Sequence, residues 1–216
     1  MSDARSGHDA SRAGLAYPAW AREELTTLAR RYGEPVIGVN RDPDAATYLR
    51  TIKTRRRPGE VCMVVRRLSG TLLLARKDFY PPGSYRLLTG GVHRGETILS
   101  ALLRETEEET SLSVRVRRFL AVERYQPPDA ATPADYATFA FLLDEVGGTL
   151  QVNDPHERLE DFREIAPAAL VEIADQLDSL EDAPSDALEA SYRAWGRFRA
   201  PTHRLVWQAL SAEPTR

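Results

Sequence analysis

A cluster of carboxylates on one predicted helix is the feature that most constrains this chain. Apolar residues recur at helical spacing from about Thr97 to Thr110, which predicts an amphipathic helix there. Glu105, Glu108 and Glu109 then occupy positions i, i+3 and i+4 of that helix. Residues at these spacings project from one face, so the three carboxylates lie within reach of a single small cation.

Such a cluster requires a compensating charge, because like charges at these spacings repel one another and weaken the helix. An arginine or a hard divalent metal would provide it, and oxygen ligands suit magnesium or manganese. Just upstream, Thr89-Gly90-Gly91 and Gly95 predict a loop that approaches a ligand with bare backbone. The start of the helix, after Glu96, favours an anion. Together these features indicate a phosphate site beside a metal-binding helix.

The segment from Gly90 to Leu112 resembles the signature of the Nudix hydrolases. That signature reads glycine, five residues, glutamate, seven residues, arginine-glutamate, an apolar residue, any residue, two glutamates, any residue, glycine and an apolar residue. The matching positions are Gly90, Glu96, Arg104, Glu105, Glu108, Glu109 and Leu112. Thr106 replaces the apolar residue and Ser111 replaces the last glycine, but neither departure removes a metal ligand.

The resemblance implies an α/β fold, a Nudix-like α/β/α sandwich with a mixed sheet, over about residues 59–180. It also implies hydrolysis of a nucleoside diphosphate linked to another moiety. The metal, Mg2+ or Mn2+, would be held by Glu105, Glu108 and Glu109 and by the carbonyl of Gly90. It would neutralise the pyrophosphate and acidify the water that attacks phosphorus.

The resemblance assigns Arg104 to a pair with Glu96 that holds the glycine loop against the helix. The alternative is an ordinary i, i+4 helical pair between Arg104 and Glu108. The identity of the general base stays open. The candidates are Glu109, Glu157 and Glu160. The last two lie in a predicted loop, where the alternative is a solvated glutamate without a role.

Substrate contacts are predicted from residue type. Gly90 and Gly91 supply bare backbone, and Arg76 and Arg86 are candidates for phosphate contacts. The run of arginines over residues 55–57 is either a solvated linker or the source of a further phosphate contact. The candidates for stacking on a base are Tyr80, Tyr85 and Tyr125.

ADP-ribose or a related nucleotide sugar is the leading substrate, because Pro127 and Pro128 lie where ADP-ribose-hydrolysing relatives carry a proline after the signature. A second class of function is a catalytically weak, Nudix-like sensor or regulator that binds a nucleotide, which Thr106 and Ser111 would allow. Such regulators typically add a DNA-binding module, and the C-terminal arginines show no helix-turn-helix pattern. We therefore predict an enzyme that acts on a small nucleotide, with no nucleic acid partner.

Composition narrows the remaining alternatives. The chain has 216 residues, a net charge of −3 and 42% apolar residues, which is enough for a core. Its mixed charges give no general attraction to nucleic acid or to an anionic membrane. Cys62 is the single cysteine, so an intrachain disulfide is excluded. Without a signal peptide in residues 1–14 or a stretch long enough to span a membrane, a soluble cytoplasmic protein is predicted.

The chain is predicted to have four regions: a disordered tail (1–16), an N-terminal helical extension (17–58), the Nudix domain (59–180) and a C-terminal helical extension (181–216). Helices are expected after Pro18 and Asp42 in the first extension, and from about Ser185 and His203 in the second. The tryptophans of the extensions are predicted either to pack internally or to form the contact of a homodimer; they are Trp20, Trp195 and Trp207.

Within the Nudix domain, β-rich runs predict strands over about residues 61–67, 71–77, 85–88, 113–125 and 136–143. The first two runs are expected to form a hairpin at Ser69-Gly70. Gly147-Gly148 predicts a turn, and residues 153–161 predict an irregular segment.

Overall fold

The computed structural model describes residues 17–54, 57–131, 133–152 and 155–212. The predicted tail over residues 1–16 lies outside these ranges, as do Arg55 and Arg56. The described α-helices are α1 (Arg22–Tyr32), α2 (Pro43–Thr54), α3 (Ile98–Thr110), α4 (Leu170–Asp178) and α5 (Tyr192–Ser211). The described strands are β1 (Val36–Asn40), β2 (Gly59–Arg66), β3 (Leu72–Lys77), β4 (Arg86–Val92), β5 (Leu112–Tyr125), β6 (Ala137–Gly148), β7 (Leu159–Ile165), β8 (Pro184–Ser185) and β9 (Ala190–Ser191).

Strands β1 to β7 form one mixed sheet in the order β1-β5-β6-β2-β4-β3-β7. β1 runs parallel to β5 and β2 runs parallel to β6, whereas the other neighbouring pairs are antiparallel. The register between β2 and β4 places Gly90 opposite Val61 and Gly91 opposite Glu60. The two glycines therefore lie inside the sheet and not at its edge.

Helices cover both faces of this sheet. α1 and α3 share one apolar core with the sheet, which includes the buried Leu25 and Leu102. α2, α4 and α5 share the other core, which includes Leu49 and Trp195. The architecture is α/β with helices on both sides of a mixed sheet. This confirms the predicted α/β/α sandwich and the additional helices near both ends of the chain.

Local sequence signals set the ends of the helices as predicted. Asp42 Oδ1 accepts hydrogen bonds from two backbone N–H groups in the first turn of α2. Thr97 caps α3 by accepting a hydrogen bond from the N–H of Ser100. Ser111 ends α3 in the left-handed region at φ 53°, where glycine is favoured, and its N–H donates to the carbonyl of Glu107.

Three predictions about the sheet were wrong. Thr89-Gly90-Gly91 does not form a loop, because these residues belong to β4 and pair with β2. Residues 147–148 do not form a turn, since they extend β6 by pairing with the beginning of β5. Residues 159–165, most of them beyond the predicted irregular segment, form β7 beside β3. In each case a distant partner strand decides the conformation, and local propensity does not contain that information.

The predicted hairpin forms at its turn only. Gly70 N–H donates to the carbonyl of Arg67 at 2.9 Å, as expected of a tight turn. Beyond the pair of Arg66 and Leu72, however, β2 and β3 separate, and β4 lies between them in the sheet. The insertion of β4 matters for the site, because it brings Gly90 next to the central strand β2.

The C-terminal helix also differs from the prediction. It begins at Tyr192 and not near Ser185, which pairs in the small β8–β9 ribbon. It continues through Pro201, where two separate helices were expected. A proline inside a helix leaves the carbonyl four residues earlier, that of Arg197, without its helical donor. Asn40 Nδ2 donates to that carbonyl at 3.1 Å, so β1 satisfies it.

The two predicted extensions contribute to the same layers as the central segment. β1 lies at one edge of the sheet, parallel to β5, and α5 packs against α2, α4 and β5. The boundaries predicted at residues 58 and 180 stay predictions. Among the residues that the structure describes, no helix combines the length and the apolar character needed to cross a membrane.

Candidate functional site

The candidate site is built around α3, the helix that carries the carboxylates. Glu105 and Glu109 are only 4% and 1% exposed, whereas the side chain of Glu108 is 37% exposed. On the predicted common face of the helix, the carboxylates of Glu105 and Glu109 are therefore buried, and that of Glu108 is partly exposed to solvent. Thr106 is buried as well, and its hydroxyl donates to the carbonyl of Leu102 at 2.6 Å. The departure from an apolar residue thus leaves no unsatisfied polar group.

The beginning of α3 is held by a residue of α1. Glu24 accepts a hydrogen bond from the N–H of Ile98 at 3.0 Å and another from the N–H of Leu99 at 3.1 Å. A carboxylate is stabilised there, because the first N–H groups of a helix lack helical acceptors and carry partial positive charge. The anion expected at this position is thus supplied by the protein itself. This corrects the expectation that the helix N-terminus faces a phosphate.

Arg104 connects the helix, the preceding turn and strand β4. Its Nε and Nη2 donate to the two carboxylate oxygens of Glu96 at 2.8 and 2.9 Å. Its Nη1 donates to Glu105 and to Glu108, each at 2.9 Å, and Nη2 also donates to the carbonyl of Gly91 at 3.0 Å. The pair with Glu96 and the i, i+4 pair with Glu108 therefore both form. The hydrogen bonds from Arg104 lower the pKa of Glu96.

Gly90 and Gly91 lie where neighbouring side chains occupy the space of a Cβ atom. A Cβ on Gly90 would lie 2.0 Å from Cδ of Glu105, and one on Gly91 would lie 2.4 Å from Cδ of Arg57. Successive residues of a strand face opposite sides of the sheet. β4 therefore holds Glu105 close on one side and Arg57 close on the other, and only glycine permits both contacts.

Three carboxylates converge next to Gly90. Glu105, Glu109 and Glu157 each offer one oxygen, and these oxygens all lie within 4.8 Å of one another. Glu157 comes from the short 3-10 turn Pro155–Glu157, so the fold adds a ligand candidate from outside the signature. Glu108 is not a member of this group. We call these three residues the carboxylate cluster.

Lys77 adds a positive charge to the cluster. Its Nζ lies 2.6 Å from Oε2 of Glu157 and 3.4 Å from Oε1 of Glu109. Burial alone would lower the pKa of Lys77, but the two carboxylates outweigh burial and raise it. Lys77 is therefore a charged partner of the cluster and a residue that the sequence analysis did not identify.

Burial shapes the electrostatics of the cluster. Both carboxylate oxygens of Glu109 are buried and accept no hydrogen bond from the described residues. Burial raises the pKa of Glu109 to about 8, although Lys77 acts in the opposite direction. Burial also raises the pKa of Glu105 despite its bond with Arg104. The pKa of Glu157 is lowered instead, because the contact with Lys77 outweighs its burial.

These features fit a divalent metal ion. The buried oxygens of Glu109 accept no hydrogen bond from the described residues, and Lys77, 3.4 Å from Oε1, is shared with Glu157, so a metal ion would supply the further positive charge that they need. Two further carboxylates lie within reach, and carboxylate oxygens are the ligands that Mg2+ and Mn2+ prefer. The donors present are therefore appropriate for either metal.

The other predicted site residues lie in two different places. Arg86 is buried, donates to Oη of Tyr80 at 2.7 Å and lines a cavity of about 130 Å3 that Gly90 also lines. Arg76 pairs with Glu160 at 3.3 Å. Neither Arg76 nor Glu160 belongs to the carboxylate cluster or lines this cavity.

The alternation of side chains along β3 explains why Lys77 reaches the carboxylate cluster and the neighbouring Arg76 does not. Adjacent residues of a strand face opposite sides of the sheet, so only one of the two can face the carboxylate cluster. The structure selects Lys77. The tyrosines predicted to stack on a base lie in different surroundings. Tyr80 lines the cavity, whereas Tyr125 is 2% exposed and stacks on Phe198 in the core. The prediction that Tyr125 stacks on a base is therefore wrong.

The chain is similar in sequence to known proteins over the segment that carries the candidate site. A family model described as the NUDIX domain matches residues 56–187. An ADP-ribose pyrophosphatase of Methanocaldococcus jannaschii is 36% identical over 91 residues, which make up 42% of this chain and 53% of that protein. A NAD-capped RNA hydrolase NudC of Photorhabdus laumondii is 32% identical over 97 residues, or 44% of this chain and 35% of that protein.

The similarity to these relatives is partial. The alignments span about half of the archaeal protein and about a third of NudC. Among solved structures, an ADP-ribose pyrophosphatase of Streptococcus suis superposes with a TM-score of 0.43 at 17% identity, covering 73% of this chain and 95% of that one.

The residues matched by the family model contain β3, β4, α3 and the turn with Glu157, which together build the carboxylate cluster. They also make up more than half of the 216 residues of the chain. From the signature on α3, its arginine-centred hydrogen bonds and this match, it follows that the chain belongs to the Nudix family.

Proposed function

We propose that this protein is a divalent-metal-dependent pyrophosphohydrolase that cleaves a nucleoside diphosphate linked to another moiety. The observation that carries the proposal is the carboxylate of Glu109, buried without a hydrogen-bond donor beside Glu105 and Glu157. Such an arrangement is costly in a protein that never binds a metal ion, since buried carboxylates need compensating charge and Lys77 is shared between Glu109 and Glu157. The names of its relatives, a pyrophosphatase and a NAD-capped RNA hydrolase, agree with this chemistry.

In this proposal Glu105 and Glu109 hold Mg2+ or Mn2+, and Arg104 positions Glu105. A bound ion of this kind neutralises charge on a diphosphate and acidifies a water molecule. Glu108, which the signature adds to the ligands, acts on the site through its hydrogen bond with Arg104. The carbonyl of Gly90 stays a candidate ligand from the signature, on a strand residue that approaches Glu105 closely.

Glu157 is the general base in this proposal. Its lowered pKa keeps it ionised at neutral pH, so that it can accept a proton from the attacking water. Lys77 holds its Oε2 at 2.6 Å and so orients the carboxylate. Glu109 is less suited to this role, since its carboxylate is buried and is one of the two proposed metal ligands. Glu160 lies on β7, pairs with Arg76 of β3 and is not part of the cluster.

The substrate proposed is ADP-ribose or a related nucleotide sugar. The relative from Methanocaldococcus jannaschii is named for ADP-ribose, and Pro127 and Pro128 follow the end of β5 at the distance predicted for that branch. We propose that Arg86 contributes to substrate binding by the charge that it presents to the cavity beside Gly90. A homodimer contact through Trp20 or Trp207, each 39% exposed, stays part of the proposal.

The test is a phosphate-release screen in Mg2+ and in Mn2+ with ADP-ribose, nucleotide sugars, dinucleotides and nucleoside triphosphates. Phosphatase is added to liberate phosphate from the monophosphate products of the diphosphate-linked substrates, and inorganic pyrophosphatase is used in its place for the nucleoside triphosphates. Glu109→Gln should reduce turnover on the order of 100-fold, because it removes a metal ligand. Glu107→Gln is the matched control, since Glu107 is an exposed glutamate of the same helix. Equal turnover in the two variants would refute the proposal, and ligand binding without turnover would favour the sensor.

A further inference from the structure

A second feature lies beside the carboxylate cluster and is not part of it. The cavity of about 130 Å3 is lined by four cationic side chains, Arg57, Lys77, Arg86 and Arg199, and by a single acidic one, Glu60. Arg199 and Glu60 form a buried pair, with Nη1 2.5 Å from Oε1. Lys77 is paired with Glu157 and Glu109, which lie outside the lining, so Arg57 and Arg86 are the two lining charges without a carboxylate partner among the contacts of the described residues. A cavity with this balance favours an anion.

Two buried hydrogen-bond donors in the lining lack acceptors. Trp195 is 0% exposed, and its Nε1 has no hydrogen-bond partner among the described residues. Arg199 is 8% exposed, and its Nε is unpartnered in the same sense. A buried donor without an acceptor costs free energy, and a ligand oxygen in the cavity would remove that cost. The donors therefore indicate a ligand that brings acceptor oxygens.

The cavity connects directly with the carboxylate cluster. Lys77 lines the cavity and also contacts Glu109 and Glu157. Gly90 and Gly91 line the cavity as well, and Gly91 lets the side chain of Arg57 lie against β4. The cavity and the carboxylate cluster therefore share Lys77 and Gly90.

The aromatic residues of the lining are engaged with one another. The rings of Tyr80 and Trp195 lie 4.6 Å apart, and Phe79 contacts Tyr80 edge to face at 5.0 Å. A stacking nucleobase needs a free ring face, and these contacts reduce the face available. The charges and the unpartnered donors instead suit phosphoryl oxygens.

We infer that this cavity is a metal-independent phosphate site that receives the small, phosphate-bearing half of the substrate, with the nucleoside left outside. The inference rests on the proposed function. It specifies the substrate class further, because a nucleotide linked to a sugar fits this division better than a dinucleotide does. Trp195 and Arg199 lie outside the residues matched by the family model, so α5 supplies a part of the site that the family match does not contain.

The test uses the full chain in EDTA, so that no divalent metal contributes. Inorganic phosphate and ribose 5-phosphate are titrated by calorimetry and by tryptophan fluorescence, and AMP is titrated in parallel. We expect saturable binding of inorganic phosphate and of ribose 5-phosphate, with competition between them. Binding of AMP as tight as that of ribose 5-phosphate would contradict the assignment of the cavity to the half without the nucleoside.

Substitutions of residues that line the cavity test whether those residues bind the phosphate. Arg57→Gln should weaken phosphate binding on the order of tenfold, because it removes a charge-assisted hydrogen bond. Trp195→Phe should weaken it severalfold and abolish the fluorescence response, while preserving the packing of the ring. Arg117→Gln is the control, since Arg117 is exposed on β5 and does not line the cavity. Absent binding in the wild type, or unchanged affinity in Arg57→Gln and Trp195→Phe, would overturn the inference.

Failure of the inference can be distinguished from failure of the proposed function. Glu109→Gln alters the carboxylate cluster and should reduce turnover on the order of 100-fold while leaving phosphate binding in EDTA intact. Turnover that depends on Glu109 without phosphate binding in EDTA would overturn the inference alone. Phosphate binding with no turnover on any substrate would refute the proposed function and leave the phosphate site standing.

Discussion

Arg104 and Glu96 form a bidentate salt bridge across the turn that precedes α3. Nε and Nη2 of Arg104 donate to the two carboxylate oxygens of Glu96 at 2.8 and 2.9 Å. The pair uses the planar geometry of the guanidinium, which an ammonium cannot reproduce. It also leaves Nη1 free to hold Glu105 and Glu108. Arg104 thereby fixes the orientation of a carboxylate in the cluster.

Arg104→Lys should lower metal affinity and turnover by about 10- to 100-fold, because the ligand Glu105 loses its positioning partner. Mn2+ affinity measured by calorimetry and kcat measured on the best substrate would test this. Arg94→Lys is a suitable control, since Arg94 lies in the same turn and makes no such pair with Glu96 among the contacts of the described residues. An Arg104→Lys enzyme with unchanged metal affinity would contradict the prediction.

Gly90→Ala should displace Glu105, because the new Cβ would lie 2.0 Å from Cδ of that residue. We expect a loss of about 1–3 kcal/mol in the free energy of unfolding, as for overpacked core sites, together with weaker metal binding. Gly147→Ala is the matched control: it also lies in a strand, and a Cβ there meets nothing within 4 Å. Chemical denaturation would compare the two variants, and equal stability would show that Glu105 adapts freely.

Glu157→Gln and Glu160→Gln should distinguish the two glutamates of the predicted irregular segment, both of which the sequence left as candidates for the general base. Glu157 lies in the carboxylate cluster and is oriented by Lys77, so its loss should reduce kcat by about 10²- to 10⁴-fold. Glu160 pairs with Arg76, and its substitution should change kcat by less than about twofold. A larger effect at Glu160 would reverse the assignment of the base.

Lys77→Met should weaken binding of the substrate and disturb the base at the same time. The substitution keeps much of the apolar stem but removes the charge that contacts Glu157 and Glu109. Without it the pKa of Glu157 should rise, because burial would no longer be opposed by this contact. The acidic limb of the pH profile of kcat should therefore move to higher pH. An unshifted limb would show that Glu157 does not control the profile.

The raised pKa of the buried Glu123 should make the stability of the protein depend on pH. It is buried, accepts hydrogen bonds from Asn40 and Thr202, and has a pKa raised by burial from 4.5 to about 8. The folded state therefore keeps this proton where the unfolded chain has lost it, so stability falls as pH rises between these two values. Each unit of pKa difference corresponds to ~1.4 kcal/mol.

The corresponding measurement is Tm between about pH 5 and pH 9 in saturating Mg2+, because a metal ion bound by Glu109, as proposed, would keep that residue charged. The decline of Tm should be smaller in Glu123→Gln, because an amide has no proton to lose over this range. A Glu123→Gln protein whose Tm declines as steeply as that of the wild type would assign the pH dependence to another group.

The sequence by itself determined the helix that carries the site and the chemistry of its side chains. Thr97 and Ser111 mark the ends of α3, and the spacing of Glu105, Glu108 and Glu109 predicts a shared face. These inferences hold because helical neighbours are three and four residues apart, so the relevant contacts are written locally in the sequence. The pair of Arg104 with Glu96 followed from the family resemblance, and it spans only eight residues.

Only the tertiary structure decided which groups meet these residues. Pairing with β2 makes Gly90 and Gly91 strand residues, and packing between α1 and α3 brings Glu24 to the start of α3. The fold also brings Lys77 and Glu157 to Glu109 and encloses the cavity with residues of α5. Strand pairing and helix packing join residues far apart in the chain, and their energies depend on partners that no local pattern specifies.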